Sequence, residues 1–224
     1  MLEAPLTVLY AGPSLNATTL AAIEQQPALT LLPPIQRGDL PALLAKGFSG
    51  TILIADGVFH TTLAVGHIEI RDALAAGCAV YGLASMGAIR AYEMALMGVQ
   101  GYGQVYQHFV ADDDFQDDEV ALLHDNVPPY KPLSEPLVHL RTCLAHMVHN
   151  GQLTQAAQTT IITQLKQQWF GNRTLKLFFN LLQQHTNASV ASIKNGFNQY
   201  RIKQLDLEAM VVGQLWQQNN TPHA

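Results

Sequence analysis

A single serine sits in the run Cys78-Ala79-Val80-Tyr81-Gly82-Leu83-Ala84-Ser85-Met86-Gly87-Ala88-Ile89-Arg90. The run reads as a short apolar strand, a sharp turn and a helix start. A serine on such a turn can present its hydroxyl as a nucleophile, with helix N–H groups beside it to hold an anion. That combination suits acyl-group chemistry. It departs from the usual Gly-x-Ser-x-Gly elbow, because the spacing gives no first glycine, yet small residues at Ala84 and Gly87 still allow a tight turn. The other reading of Ser85 is a plain helix cap. Further polar residues fall at comparable strand ends. Asp56 precedes Gly57 and can orient a partner or simply close an Asp-Gly turn. Arg37 can bind an anion or pair with Asp39 on the surface. His67 is a candidate base if its helix turns it toward Ser85, and otherwise a hydrogen-bonded helix histidine. Because His67 and Glu69 are two apart on a helix, they cannot make a two-ligand metal site on one face.

These residues need elements to position them, and the first hundred residues supply a βα alternation. Strands are expected at Leu6 to Tyr10, Leu29 to Leu32, Thr51 to Ala55 and Cys78 to Tyr81. Helices are expected at Thr18 to Gln25, capped by Ser14 or Asn16, at Asp39 to Leu44, and from Thr61 or Thr62 to Ala75. Apolar strands separated by helices imply a parallel sheet, and such sheets bind ligands at the carboxyl ends of their strands. The turns there carry Ser14, Pro33-Pro34, Asp56 and Ser85. After Gly98 a glycine-rich connection leads to a helix at Val105 to Val110 and an acidic run from Asp112 to Glu119. The rest is helical: Glu135 to His149, Thr154 to Trp169, Arg173 to Gln184 and Gln199 to Gln218. The expected fold class is therefore α/β, a parallel sheet of βαβ units followed by a helical C-terminal extension. The expected organisation is a core over residues 1–150 with the extension, residues 151–224, packed on it.

Composition narrows the function. The chain has 224 residues, 48% hydrophobic and only 13% charged, with a formal net charge of −5. So few charges leave two readings, a surface partly covered by a partner or a merely neutral one. The acidic balance and the lack of any Lys/Arg run argue against nucleic acid. The two cysteines, Cys78 and Cys143, lie in apolar settings and read as buried thiols, which fits a cytoplasmic protein. Met1 to Pro5 carries no basic n-region, and no apolar run reaches the roughly 20 residues of a membrane span. The acidic run lacks the glycine and glutamate of a calcium loop. His124, His139, His146 and His149 lack zinc spacing, and no phosphate loop is present, so neither metal nor cofactor is expected. The acidic run is expected to be a solvated face or a docking strip.

In order, the chain contains Ala11-Gly12-Pro13-Ser14-Leu15, Pro33-Pro34, Arg37-Gly38-Asp39, Asp56-Gly57-Val58-Phe59, His67-Ile68-Glu69-Ile70 and Gly82-Leu83-Ala84-Ser85-Met86-Gly87-Ala88-Ile89-Arg90-Ala91-Tyr92-Glu93. Asp117-Asp118-Glu119-Val120-Ala121 and Tyr130-Lys131-Pro132-Leu133-Ser134-Glu135 follow. Together these resemble the TfuA-like family, with Ser-Met-Gly-Ala-Ile-Arg-Ala as the specific string. The segment Ile202-Lys203-Gln204-Leu205-Asp206 resembles the family's tail more weakly. The resemblance implies a partner of a YcaO enzyme in peptide backbone thioamidation, hydrolysing a thiocarboxylated ThiS-like carrier to release sulfide with a serine–lysine pair. The precursor peptide is then reached through the YcaO enzyme. Ser85 becomes the implied nucleophile, the Met86 N–H an oxyanion donor, and Ser14, Arg37, Asp56 and Arg90 the surrounding polar groups. The family's His-Lys-Glu triplet reads His67-Ile68-Glu69 here. If that lysine is the serine's partner, the base must come from Lys203, Lys131 or His67. Without one, the implied role is a noncatalytic adaptor. Outside the family, the strand-end geometry alone would suit a phosphate- or small-molecule-binding α/β protein.

Overall fold

The computed structural model describes residues 6–58 and 62–218. Met1 to Pro5, Phe59 and Thr61 lie outside them. The chain forms two compact units, one made of residues 1–115 and 203–224, the other of residues 116–202. The boundary expected at residue 150 falls inside the second unit.

The first unit holds β1 (Thr7–Tyr10), α1 (Ala17–Glu24), β2 (Leu29–Leu32), α2 (Asp39–Leu44), β3 (Thr51–Ile54), α3 (His67–Ala75), β4 (Ala79–Leu83), α4 (Met86–Glu93), β5 (Gln100–Tyr102) and α5 (Gly103–Ala111). All strand pairings are parallel, in the order β2-β1-β3-β4-β5. The expected α/β class is what the chain adopts. Two details differ from expectation. Helix α3 starts at His67, because Glu69 accepts from the Gly66 N–H and fixes the helix start there. The glycine-rich connection contains the edge strand β5. A Cβ on Gly101 would lie 2.1 Å from the Tyr106 ring, so glycine is what lets β5 and α5 meet.

Side-chain alternation sends each strand's residues to two faces. Val8, Tyr10, Ile52, Ile54 and Val80 pack with Leu40, Ile70, Met86 and Ala91 of α2 to α4. Leu9, Leu53, Tyr81 and Leu83 face the other way, toward Leu207, Met210, Val211 and Trp216.

The second unit is helical: α6 (Leu137–His149), α7 (Gln155–Lys166), α8 (Leu175–Gln183) and α9 (Val190–Asn195). Its core joins Leu140, Leu144, Met147, Ile161, Leu165, Phe178 and Phe197. The acidic run does not form a solvated strip throughout. Glu119 is buried and meets Arg141 at 2.8 Å and Lys166 at 3.3 Å, while Asp118 meets the buried Arg173 at 2.7 Å. These carboxylates staple the unit internally. The chain then returns to the first unit through α10 (Ile202–Gly213) and α11 (Leu215–Gln218), separated by Gln214 at φ 47°. These two elements supply Leu207, Met210, Val211 and Trp216, so the sheet is buried on both faces.

Candidate active site at the carboxyl edge of the sheet

The turn between β4 and α4 is compressed from both sides. A Cβ on Gly82 would lie 2.0 Å from the Gly87 carbonyl oxygen, and one on Gly87 would lie 1.7 Å from the Ile54 carbonyl oxygen. Glycine at these two positions lets α4 sit directly on β3 and β4. Ala84 adopts φ 61°, a left-handed conformation that costs a non-glycine residue about 1 kcal/mol or more. Gly82 and Gly87 thus do the work of an elbow's glycines at altered spacing.

Ser85 follows, 3% exposed, at the N-cap of α4 with φ −137° and ψ −116°. Its side chain makes no capping hydrogen bond. Every other Ser, Thr or Asn N-cap of an α-helix among the described residues does so: Asn16, Thr154, Thr174 and Ser189 accept from Thr19, Ala157, Leu177 and Ser192 N–H. The unusual ψ at Ser85 separates it from those four, whose ψ values run from 102° to 175°. The Ser85 and Gly87 N–H groups donate to the Ala55 carbonyl at 3.1 and 3.3 Å. Among the described residues, the Met86 N–H has no backbone acceptor.

Beside this turn, Asp56 is buried and accepts from the Gly12 N–H at 2.8 Å, the Ser14 N–H at 2.9 Å and the Ser14 hydroxyl at 2.7 Å. Ser14 and Asp56 are therefore each other's partners, locking the β1 loop at the β1/β3 crossing of the strand order. An anion recruited by them would compete with these bonds.

The other expected polar residues form a second group. His67 Nε2 lies 2.8 Å from Glu93 Oε2, and Arg90 also pairs with Glu93 while donating to the Val65 carbonyl at 3.1 Å. His67 is 54% exposed, unlike the buried Ser85. Arg37 donates to the Ala64 carbonyl at 3.2 Å and lies 3.8 Å from Glu69. Ile68 is 65% exposed, so the replacement of the family's lysine there alters a solvent-facing position. Lys131 is exposed in the second unit.

Lys203 is 2% exposed, at the start of α10. One turn later, Leu207 packs in the same cluster as Ala11, Ala55 and Ala84, which directly follow β1, β3 and β4. Asp206 accepts from the Gln104 and Val105 N–H groups at 2.8 and 2.9 Å, at the start of α5. The first turns of α10 thus run along the carboxyl edge that carries Ser85. Sequence reading did not single out Asp206. Its signal was available: Lys203, Asp206, Leu207, Met210 and Val211 form one buried helix stripe, and two of its five members are charged. Among the described residues, no cluster of His, Cys, Asp and Glu suits a metal ion. Both cysteines are free and buried. No described helix is long and apolar enough to cross a membrane.

A parallel α/β sheet with an uncapped serine on a strand-to-helix turn defines the class of protein. A family model described as TfuA-like protein matches residues 56–174, more than half of the chain, and the chain belongs to that family. Membership carries the family's general role beside YcaO enzymes in peptide thioamidation. Among curated proteins, none matches the chain.

Proposed function

We propose that this protein supplies sulfide to a YcaO enzyme by hydrolysing a thiocarboxylated ThiS-like carrier, with Ser85 as nucleophile and Lys203 as base. The observation that carries this reading is the Ser85 hydroxyl, which sits at a helix N-cap yet makes no capping bond. Ser85 Oγ attacks the terminal carbonyl carbon of the carrier while its proton passes to the neutral amine of Lys203. The Met86 N–H holds the resulting oxyanion. The C–S bond breaks, and the proton returns from Lys203 to the departing sulfur as hydrosulfide. Water then attacks the Ser85 ester, freeing the carrier as a carboxylate and restoring the hydroxyl. The precursor peptide engages the YcaO enzyme, which receives the sulfide. His67, Arg37 and Arg90 serve the surface near this edge, and Ser14 with Asp56 holds the neighbouring loop.

Sulfide release from a carrier bearing a C-terminal thiocarboxylate tests this directly. Ser85→Ala is expected to lower the rate by about 10³-fold or more, the scale of losing a nucleophile. Release at the wild-type rate by that variant would sink the reading. A noncatalytic adaptor is the second reading, favoured by the exposed apolar side chains of Ile68, Tyr92, Leu96 and Met97. It requires that wild-type protein release no sulfide yet tighten binding of peptide to the YcaO enzyme.

A further inference from the structure

The acceptor at the N-terminus of α5 comes from an unusual place. Helices α1, α7, α8 and α9 are capped by their own N-cap side chains. The N-cap of α5 is Tyr102, whose side chain does not cap. Both acceptor oxygens come instead from Asp206 on α10, about a hundred residues further along the chain. Gly103 adopts φ 92°, and a Cβ there would lie 2.3 to 2.7 Å from Asp206 atoms, so the carboxylate lies directly against this backbone. The contact therefore ties two elements together rather than finishing one.

We propose that Asp206 is a positioning residue for Lys203: its ionised carboxylate fixes the first turn of α10 at the carboxyl edge of the sheet. This rests on the serine–lysine reading above. Two consecutive N–H groups are received by two oxygens, and only the ionised carboxylate offers both as acceptors. Lys203 stands three residues earlier, so a shift of this turn carries the lysine with it. Burial pushes the Asp206 carboxyl up to about 6, against the smaller opposing effect of its two N–H bonds. The charged form is thus kept at a cost to stability. The groups facing Asp206 are Tyr102 at the end of β5, raised by burial and then by this carboxylate, and the Gln104 and Val105 N–H groups of α5.

The test measures kcat and KM for sulfide release from the thiocarboxylated carrier, together with Tm, for wild type, Asp206→Asn and Asp206→Glu. Asp206→Asn keeps the size, loses one acceptor and loses the buried charge. Its kcat is expected to fall about tenfold or more with KM within about twofold. Its Tm at pH 7.5 is expected to stay within about 3 °C of wild type or to rise. Asp206→Glu, which retains the charge and both acceptors, is expected to recover part of kcat. Wild-type kcat in Asp206→Asn overturns the proposal, as does Asp206→Glu no better than Asp206→Asn. A kcat loss matched by a Tm drop beyond about 5 °C in both variants also overturns it, by assigning Asp206 to stability alone. Full release by Ser85→Ala would instead remove the serine reading, whatever Asp206→Asn does.

Discussion

A hydroxyl at a helix N-cap ordinarily receives the N3 amide, and losing that bond costs about 1 kcal/mol. Thr174 follows this rule and Ser85 does not. The two residues should therefore respond oppositely to the same change. Thr174→Ala is expected to lower Tm by about 2–4 °C, the equivalent of one cap in a chain of this size. Ser85→Ala, with no cap bond to lose, is expected to leave Tm nearly unchanged while removing sulfide release. Thermal melts of the two variants, set beside their activities, check this; a Ser85→Ala melt as low as that of Thr174→Ala would return Ser85 to a capping role. The serine itself was legible in the sequence, because apolar strand, small residues and helix start surround it. Its uncapped state was not, since it goes with a backbone ψ of −116° in a turn held close by Gly82 and Gly87. Asp206 was not singled out for a related reason: an acid in an amphipathic helix, with Glu208 two residues on, looks solvent-facing until its stripe is known to be buried.

At the scale of elements, the α4–β3 contact sets how deeply the serine turn is held. Gly87→Ala would drive a methyl group to 1.7 Å from the Ile54 carbonyl oxygen, which is backbone and cannot rotate aside. The expected loss is about 3 kcal/mol or more, at the upper end of overpacking effects. Chemical denaturation would show it as a lower midpoint at unchanged slope, and a wild-type midpoint would contradict the close approach. Strands β1 to β4 and their helices were readable from apolar runs broken by Gly, Pro and Asp. Strand β5 was not, because three residues containing a central glycine carry too little pattern. The acidic run from Asp112 looked solvated because composition cannot reveal partners far along the chain. Arg141, Lys166 and Arg173 supply them for Glu119 and Asp118.

Across the whole molecule, each unit holds a buried carboxylate whose pKa is shifted, and the two respond oppositely to acid. In the first, the folded Asp206 carboxyl sits near 6 against an ordinary 3.8. The native state binds this proton more tightly, so its stabilising contribution grows as pH falls through 6 and is complete below 3.8. In the second unit, burial acts to raise Glu135, but hydrogen bonds and charge from His139 and Arg201 together outweigh it and hold it below 4.5. That contribution is present above 4.5 and is lost as pH falls through the depressed folded value. Hydrogen exchange, corrected for intrinsic rates, should show α6 losing protection in acid before β4 and α4 do. Simultaneous loss in both units would contradict the assignment. The two-part division was only partly legible, since the helical character of residues 116–202 can be read locally. The return of α10 to the sheet cannot, because it depends on burial of a stripe against strands read nearly two hundred residues earlier.

That return has a consequence for biosynthesis. During translation, the face of the sheet lined by Leu9, Leu53 and Leu83 has no cover until Leu207, Met210, Val211 and Trp216 have left the ribosome. Residues 116–202 emerge whole before then and can fold on the growing chain, while the sheet waits with an open apolar side. The nascent protein is thus exposed to aggregation and to chaperone capture until α10 and α11 have emerged. Lys203 arrives with α10, so the proposed pairing with Ser85 cannot form before that helix has emerged.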